Sequence, residues 1–227
     1  MQGLLKLANV LDAPARFLGK VGGWMIIPLI IIIMFDVVTR KIDAFRIWMA
    51  DAQLAWFNPI IFQDAEWHLH GIILLMAFGF GYLMNAHVRV DIIREMLPRR
   101  GQAWVEFWGL LLLGIPYLLV ITYYGYQFVA LSFAQGEGSE SLTGIPARYI
   151  IKSFLLIGFA LLLMSFFATL FRLIATLFGS EEDVKAAAPT LLMLHPLKGP
   201  DGIEVAGGQL EVKPEDVTPP TMNDGGR

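Results

Sequence analysis

The stretch WMIIPLIIIIMFDVV, residues 24–38, carries one charge, Asp36, in fifteen residues. A helix crosses a hydrocarbon core about 30 Å thick with roughly 17–25 mostly apolar residues, and with its neighbours from Val21 this run is long enough. It continues into Asp36, Thr39, Arg40 and Lys41 with no small-residue cleavage site behind it, so it reads as a retained anchor and not as a cleaved signal peptide. An irregular or open-edged segment cannot satisfy its backbone groups in lipid, so the form expected is a helix.

The rest of the chain agrees with a membrane setting. Of 227 residues, 56% are hydrophobic and 16% charged, and the mean hydropathy is +0.60, well above what one soluble core requires. The predicted fold class is an all-α integral membrane protein, a four-transmembrane-helix bundle with spans at about 21–38, 67–86, 104–133 and 149–178. Residues 1–179 form this membrane domain. A formal charge of −3 and the lack of a basic stripe exclude nucleic acid as a partner. With no cysteine there is no disulfide, thiolate nucleophile or cysteine metal site.

Lysine and arginine set orientation. One set of loops holds Lys6, Arg16, Lys20, Arg89, Arg94, Arg99, Arg100, Arg172 and Lys185; the other holds Arg40, Lys41, Arg46, Arg148 and Lys152. The larger set marks the cytoplasmic side, with both termini there. The segment NAHVRVDIIREMLPRR, 85–100, is then the short cytoplasmic turn between the second and third spans.

Between the first two spans, Phe45, Trp48, Met49, Ala52 and Trp56 share a helical face flanked by Arg46, Asp51 and Gln53. That pattern predicts an amphipathic helix lying in the membrane surface. After Phe178 glycine, proline and acids take over without a sustained period, so residues 180–227 are expected to be a mostly disordered cytoplasmic tail. Its apolar patch, Leu191 to Leu197, is a possible docking segment. No internal repeat of the kind that builds self-sufficient transporters is visible.

Several polar residues invite chemistry. Glu66 and His70 share a helix face and, with His68, suggest either a metal site or a polar ring at a helix end near the headgroups. A haem held by facing histidines is a second reading, but spans one, three and four lack histidine and His87 lies roughly 26 Å from His70 along the helix. Asp36, the deepest acid, is either part of an intramembrane relay or paired with Arg40 one turn away. Glu106 and Lys152 open spans three and four, where long side chains reach the interface. His87 and Asp91 are spaced to pair on a helix, and with Arg89 they form either a solvated turn or a docking surface. Gly71, Ala77, Gly79 and Gly81 allow close helix approach, with Ala77 and Gly81 a small-xxx-small pair. Gly114 and Pro116 are expected to bend span three. Signatures of metalloproteases, serine hydrolases and P-loop enzymes are missing.

Three stretches between Gln63 and Arg172, about half the chain, carry a family resemblance: QDAEWHLHG at the mouth of span two, NAHVRVDII followed by LPRRGQAWVE, and GIPARYIIKSFLLIGFALLL leading into span four. They resemble the small membrane (Q) subunit of tripartite ATP-independent periplasmic (TRAP) transporters. The long first loop is similar to a branch associated with 2-oxo acids, mannitol-like or chloroaromatic compounds; the tail departs from the usual compact pattern. The resemblance implies a three-part importer in the bacterial inner membrane. A periplasmic substrate-binding protein captures an organic anion, a large membrane subunit moves it with a sodium gradient, and the small subunit packs against the large one as a non-catalytic scaffold. No cofactor, metal or catalytic residue is expected. The candidate partner-interface residues are Glu66, His68, His70, Ala77, Gly81, His87, Arg89, Asp91 and Lys152. Trp48, Trp56, Trp67, Trp104 and Trp108 are suited to anchoring at the interface. The competing classes are a haem-binding redox anchor and a small carrier using Asp36.

Overall fold

Proline sets the first break in the chain. Helix α1 (Gln2–Trp24) passes through Met25 into α2 (Ile26–Lys41), and Pro28, which has no N–H to give the Trp24 carbonyl, places the break one turn before itself. The computed structural model describes residues 1–42, 44, 47–48, 59–87, 94, 96–140, 144–194, 197–198 and 204–205. The surface helix expected around Phe45 to Trp56 falls, apart from Ile47 and Trp48, outside them.

The first helical rod is longer than the 21–38 run. Residues Gln2–Lys41 make 40 residues of helix, about 60 Å at 1.5 Å per residue, twice a hydrocarbon core. The reason lies in a stripe of small residues. Ala8, Asp12, Ala15, Gly19 and Gly22 are buried at alternating spacings of four and three, so one narrow face of α1 packs against α3 (Pro59–Leu83) and α6 (Arg148–Phe178). A Cβ at Gly19 would lie 2.3 Å from the Cβ of Phe80, so the two helices touch backbone to side chain there.

Helix α6 is the axis of the bundle and packs against α1, α3, α4 (Arg99–Gly109) and α5 (Ile115–Ala134). Its buried face runs through Gly158, Leu161, Ser165, Ala168, Arg172 and Ala175, again at spacings of three and four. The crossing with α3 is the tightest. A Cβ at Gly79 would stand 2.7 Å from the Leu161 carbonyl oxygen, and one at Gly158 2.8 Å from that of Leu75. Because Gly79 and Gly158 meet backbone on the opposite helix, these two make the close contact; Gly81 instead faces the ring of His87, at 3.7 Å from Nε2, and Ala77 is partly buried.

Span three was expected to bend at Gly114 and Pro116. There the helix widens: Leu110–Gly114 form a π-helical segment in which the Ile115 N–H donates to the Leu110 carbonyl, five residues back. The buried positions explain why. Besides Gln102 and Ile115 they include Ala103, Leu110, Leu118, Gly125 and Ser132, with steps of seven, eight, seven and seven, and the wide turn absorbs the one extra residue.

Among the described residues three helices are long and apolar enough to cross a membrane: Gln2–Lys41, Arg99–Ala134 and Arg148–Phe178. They contain the first, third and fourth runs predicted. Helix α3 is not among them, because Gln63, Asp64, Glu66, His68 and His70 make its first half polar.

Within the tail 180–227, which was expected to be mostly disordered, residues 181–194 form α7 (Glu181–Ala187), a 3₁₀ turn at Ala188–Thr190 and a further turn. Ser180 and Asp183 start α7 with a reciprocal capping box, and three acids occupy its first turn, where the helix dipole favours them. Ala187, Leu191, Met193 and Leu194 are then buried with Ala103, Leu173 and Leu177 of the bundle, and Arg94 donates to the Met193 carbonyl. Three residues of the apolar patch, Leu191, Met193 and Leu194, are thus covered within the chain, while Leu192 stays exposed. Farther on, β1 (Leu197–Lys198) and β2 (Glu204–Val205) pair antiparallel.

Candidate partner-binding surface

Polar groups in this bundle gather at its two ends. At the end holding residue 1 and α7, Arg172 is 2% exposed and its Nη2 donates to Asp12 Oδ2 at 2.5 Å and to Asn9 Oδ1 at 2.7 Å, tying α6 to α1. Arg16 adds a second cation to Asp12 at 3.2 Å. Nearby, the buried Tyr82 hydroxyl donates to Glu106 Oε1 at 2.9 Å. Glu106 was read as a boundary residue reaching for the interface; it accepts a bond across α3 and α4 instead.

At the opposite end Asp64 anchors the loop between α5 and α6. Its Oδ2 accepts from Ser139 Oγ at 2.8 Å and from the Ile145 N–H at 2.9 Å, and its carbonyl accepts from His68 Nδ1, which fixes that ring's tautomer. Lys152 does not simply extend to the interface. Its ammonium pairs with Glu137 and sits 4.0 Å from the centre of the Phe128 ring. Lys152, followed by a bond from Ser132 at 2.6 Å, holds the Glu137 carboxyl below the usual glutamate range. The Arg148 backbone N–H donates to the Glu137 carbonyl at 2.8 Å, closing the loop on itself.

The candidate residues therefore separate. Glu66 and His70 share a cleft of about 620 Å3 with Asp36 and Arg40, whose side chains pair at 2.7 Å. His68 turns to another cleft of about 610 Å3, beside Asp64, Glu140 and Arg148. Ala77, Gly81 and His87 lie farther along, with His87 exposed and its Nε2 3.4 Å from the Phe78 carbonyl. Arg89 and Asp91 lie outside the described residues. Among the described residues no three histidines, aspartates or glutamates are grouped to hold a metal ion. Sequence reasoning missed Asn9, Asp12, Tyr82 and Asp64, whose partners sit far along the chain; only the i, i+4 spacing of Asp12 and Arg16 was a local signal.

Two helices turn long apolar faces outward. On α2 these are Ile26, Ile27, Ile30, Ile31, Met34 and Val37, and on α5 Tyr117, Val120, Tyr124 and Leu131. Lipid or a partner helix suits both. The family described as tripartite ATP-independent periplasmic transporters, DctQ component, matches residues 29–176. This chain belongs to that family. No curated protein and no solved structure matches it. As a DctQ component it is a non-catalytic membrane part of a tripartite transporter, which in general terms works with a large membrane component and a binding protein. The matched DctQ region stops short of Asn9 and Asp12 and of α7, so both elements outside it pack on the same end of the bundle inside it.

Proposed function

We propose that this chain is the fixed scaffold of a TRAP transporter. It crosses the inner membrane four times, with α3 as the second span, and keeps both termini in the cytoplasm. It holds the large membrane component while that component imports an organic anion, such as a 2-oxo acid, with sodium, from a periplasmic binding protein.

The observation that carries this reading is the use of the buried and half-buried polar groups. Arg172 with Asp12, Tyr82 with Glu106, Asp64 with Ser139 and Lys152 with Glu137 all join one helix or loop to another. A carrier keeps polar groups available along a path at mid-membrane, whereas these lie at the ends and lock helices together. The glycine contacts at Gly79 and Gly158 add backbone-close packing that resists sliding. Orientation is supported by the concentration of Lys6, Arg16, Lys20, Arg94, Arg99, Arg100 and Arg172 at one end.

The test is transport in vesicles. The chain alone is expected to move no anion under a sodium gradient, and to restore uptake when joined by the large component and the binding protein; uptake by the lone chain refutes the reading. Single cysteines at Gly3 and Gly138, in a chain that has none of its own, are expected to label from opposite sides of the membrane.

A further inference from the structure

Asp36 of α2 and Glu66 of α3 line one cleft, with Arg40, Gln63, Trp67 and His70 around them. Asp36 is 4% exposed. Its Oδ2 takes the Arg40 guanidinium, while Oδ1 is buried without a hydrogen-bond partner among the described residues. Glu66 Oε1 is in the same condition. An ionised carboxylate only accepts hydrogen bonds, so both oxygens ask for a donor. Two carboxylates and one guanidinium carry a formal charge of one negative. Among the described residues the cleft is short of one cation.

We propose that the cleft binds the cationic side chain of a lysine or arginine presented by the large membrane component. This rests on the chain being that component's scaffold. The cleft's shape favours a side chain over a bare ion. At about 620 Å3 it is far larger than the space within the roughly 2.3–2.6 Å oxygen shell of a cation such as calcium. Ile33 and Val37 give it an apolar wall suited to a methylene stem, and Trp67, 74% exposed, offers a ring face to the charge. The outward apolar face of α2, through Ile30, Met34 and Val37, runs into the same cleft, so a partner helix laid along it delivers a basic residue there. A donor side chain lodged there gives both oxygens the partner an ionised carboxylate needs.

The experiment uses the full chain co-expressed with the large component. Glu66→Gln is expected to raise the dissociation constant of the complex about tenfold or more, and Asp36→Asn with Glu66→Gln to raise it further, while the melting temperature of the lone Glu66→Gln chain stays within a few degrees of the parent. As a second measurement, Glu66→Cys, the sole thiol in the chain, is tagged with a photoreactive group. The expected adduct is on the large component next to a lysine or arginine. Unchanged affinity in Glu66→Gln, or an adduct confined to lipid or to this chain, overturns the proposal and leaves the scaffold reading standing. If the unaltered chain forms no complex at all, both fall.

Discussion

Arg172 of α6 and Asp12 of α1 stand 160 positions apart in the chain and meet at 2.5 Å in a site where the two side chains are 2% and 6% exposed. Removing one member of a buried pair strands the other charge and costs about 3–5 kcal/mol. Arg172→Met and Asp12→Asn are each expected to lower the melting temperature of the detergent-solubilised protein. The double variant should lose less than the sum of the two, because the partners share one interaction.

The crossing of α3 and α6 has no room for a side chain. Gly79→Val drives a Cβ to within 2.7 Å of the Leu161 carbonyl oxygen and is expected to cost about 1–3 kcal/mol or more. Gly71→Ala is the contrast, since nothing lies within 4 Å of a Cβ there; on the same helix it should be neutral or stabilising by up to about 1 kcal/mol. Melting curves of both variants check the pair.

Acid should loosen the loop between α5 and α6. The Glu137 carboxyl is held below its ordinary value of 4.5 by Lys152 and Ser132, so the stability it contributes is fully present above that value and is lost as pH falls through the lowered one. Glu137→Gln is therefore expected to melt lower than the parent at pH 7 and to converge with it in acid. A gap that persists below the carboxylate range would contradict this.

The segment after α6 should behave as a docked clamp. Leu191 is 1% exposed, and Leu191→Asp is expected to release residues 181–194 and open the peptide bonds after Gly179 to limited proteolysis. Ser180→Ala removes the cap of α7 and should weaken that helix by about 1 kcal/mol, giving a smaller increase in the same cleavage.

Much of this architecture is legible in hydropathy alone. The runs beginning at Val21, Trp104 and Tyr149 each fall inside a helix long enough to cross a membrane, since an apolar run has only one way to satisfy its backbone in lipid. The pairing of Asp36 with Arg40 was readable from i, i+4 spacing. The length of α1 was also written in the chain, as Ala8, Asp12, Ala15, Gly19 and Gly22, but a stripe of small residues adds little hydropathy and so escapes a search for greasy runs. The docked tail escaped for a related reason: Leu191 to Leu194 gain meaning only from the groove they fill. At the candidate surface, residue types suggested Glu66 and His70, while the cleft that sets them beside Asp36 depends on where α2 lies on α3, which no local pattern encodes. Of the small residues expected to admit a close helix, Gly79 meets an opposing backbone and Gly81 does not, while Gly158 carried no such signal in the sequence.

The wide turn at Leu110–Gly114 works as a phase adjuster between two halves of one rod. Excising a single leucine from the run Leu110–Leu113 would remove the residue that the wide turn absorbs and leave both halves on one face, whereas inserting one more would turn the far half by roughly 100° relative to the near one. Leu118, Gly125 and Ser132 would then swing away from the axis helix while Ala103 stayed in place. Point substitutions and a one-residue deletion in that run should be forgiven, and a one-residue insertion should not.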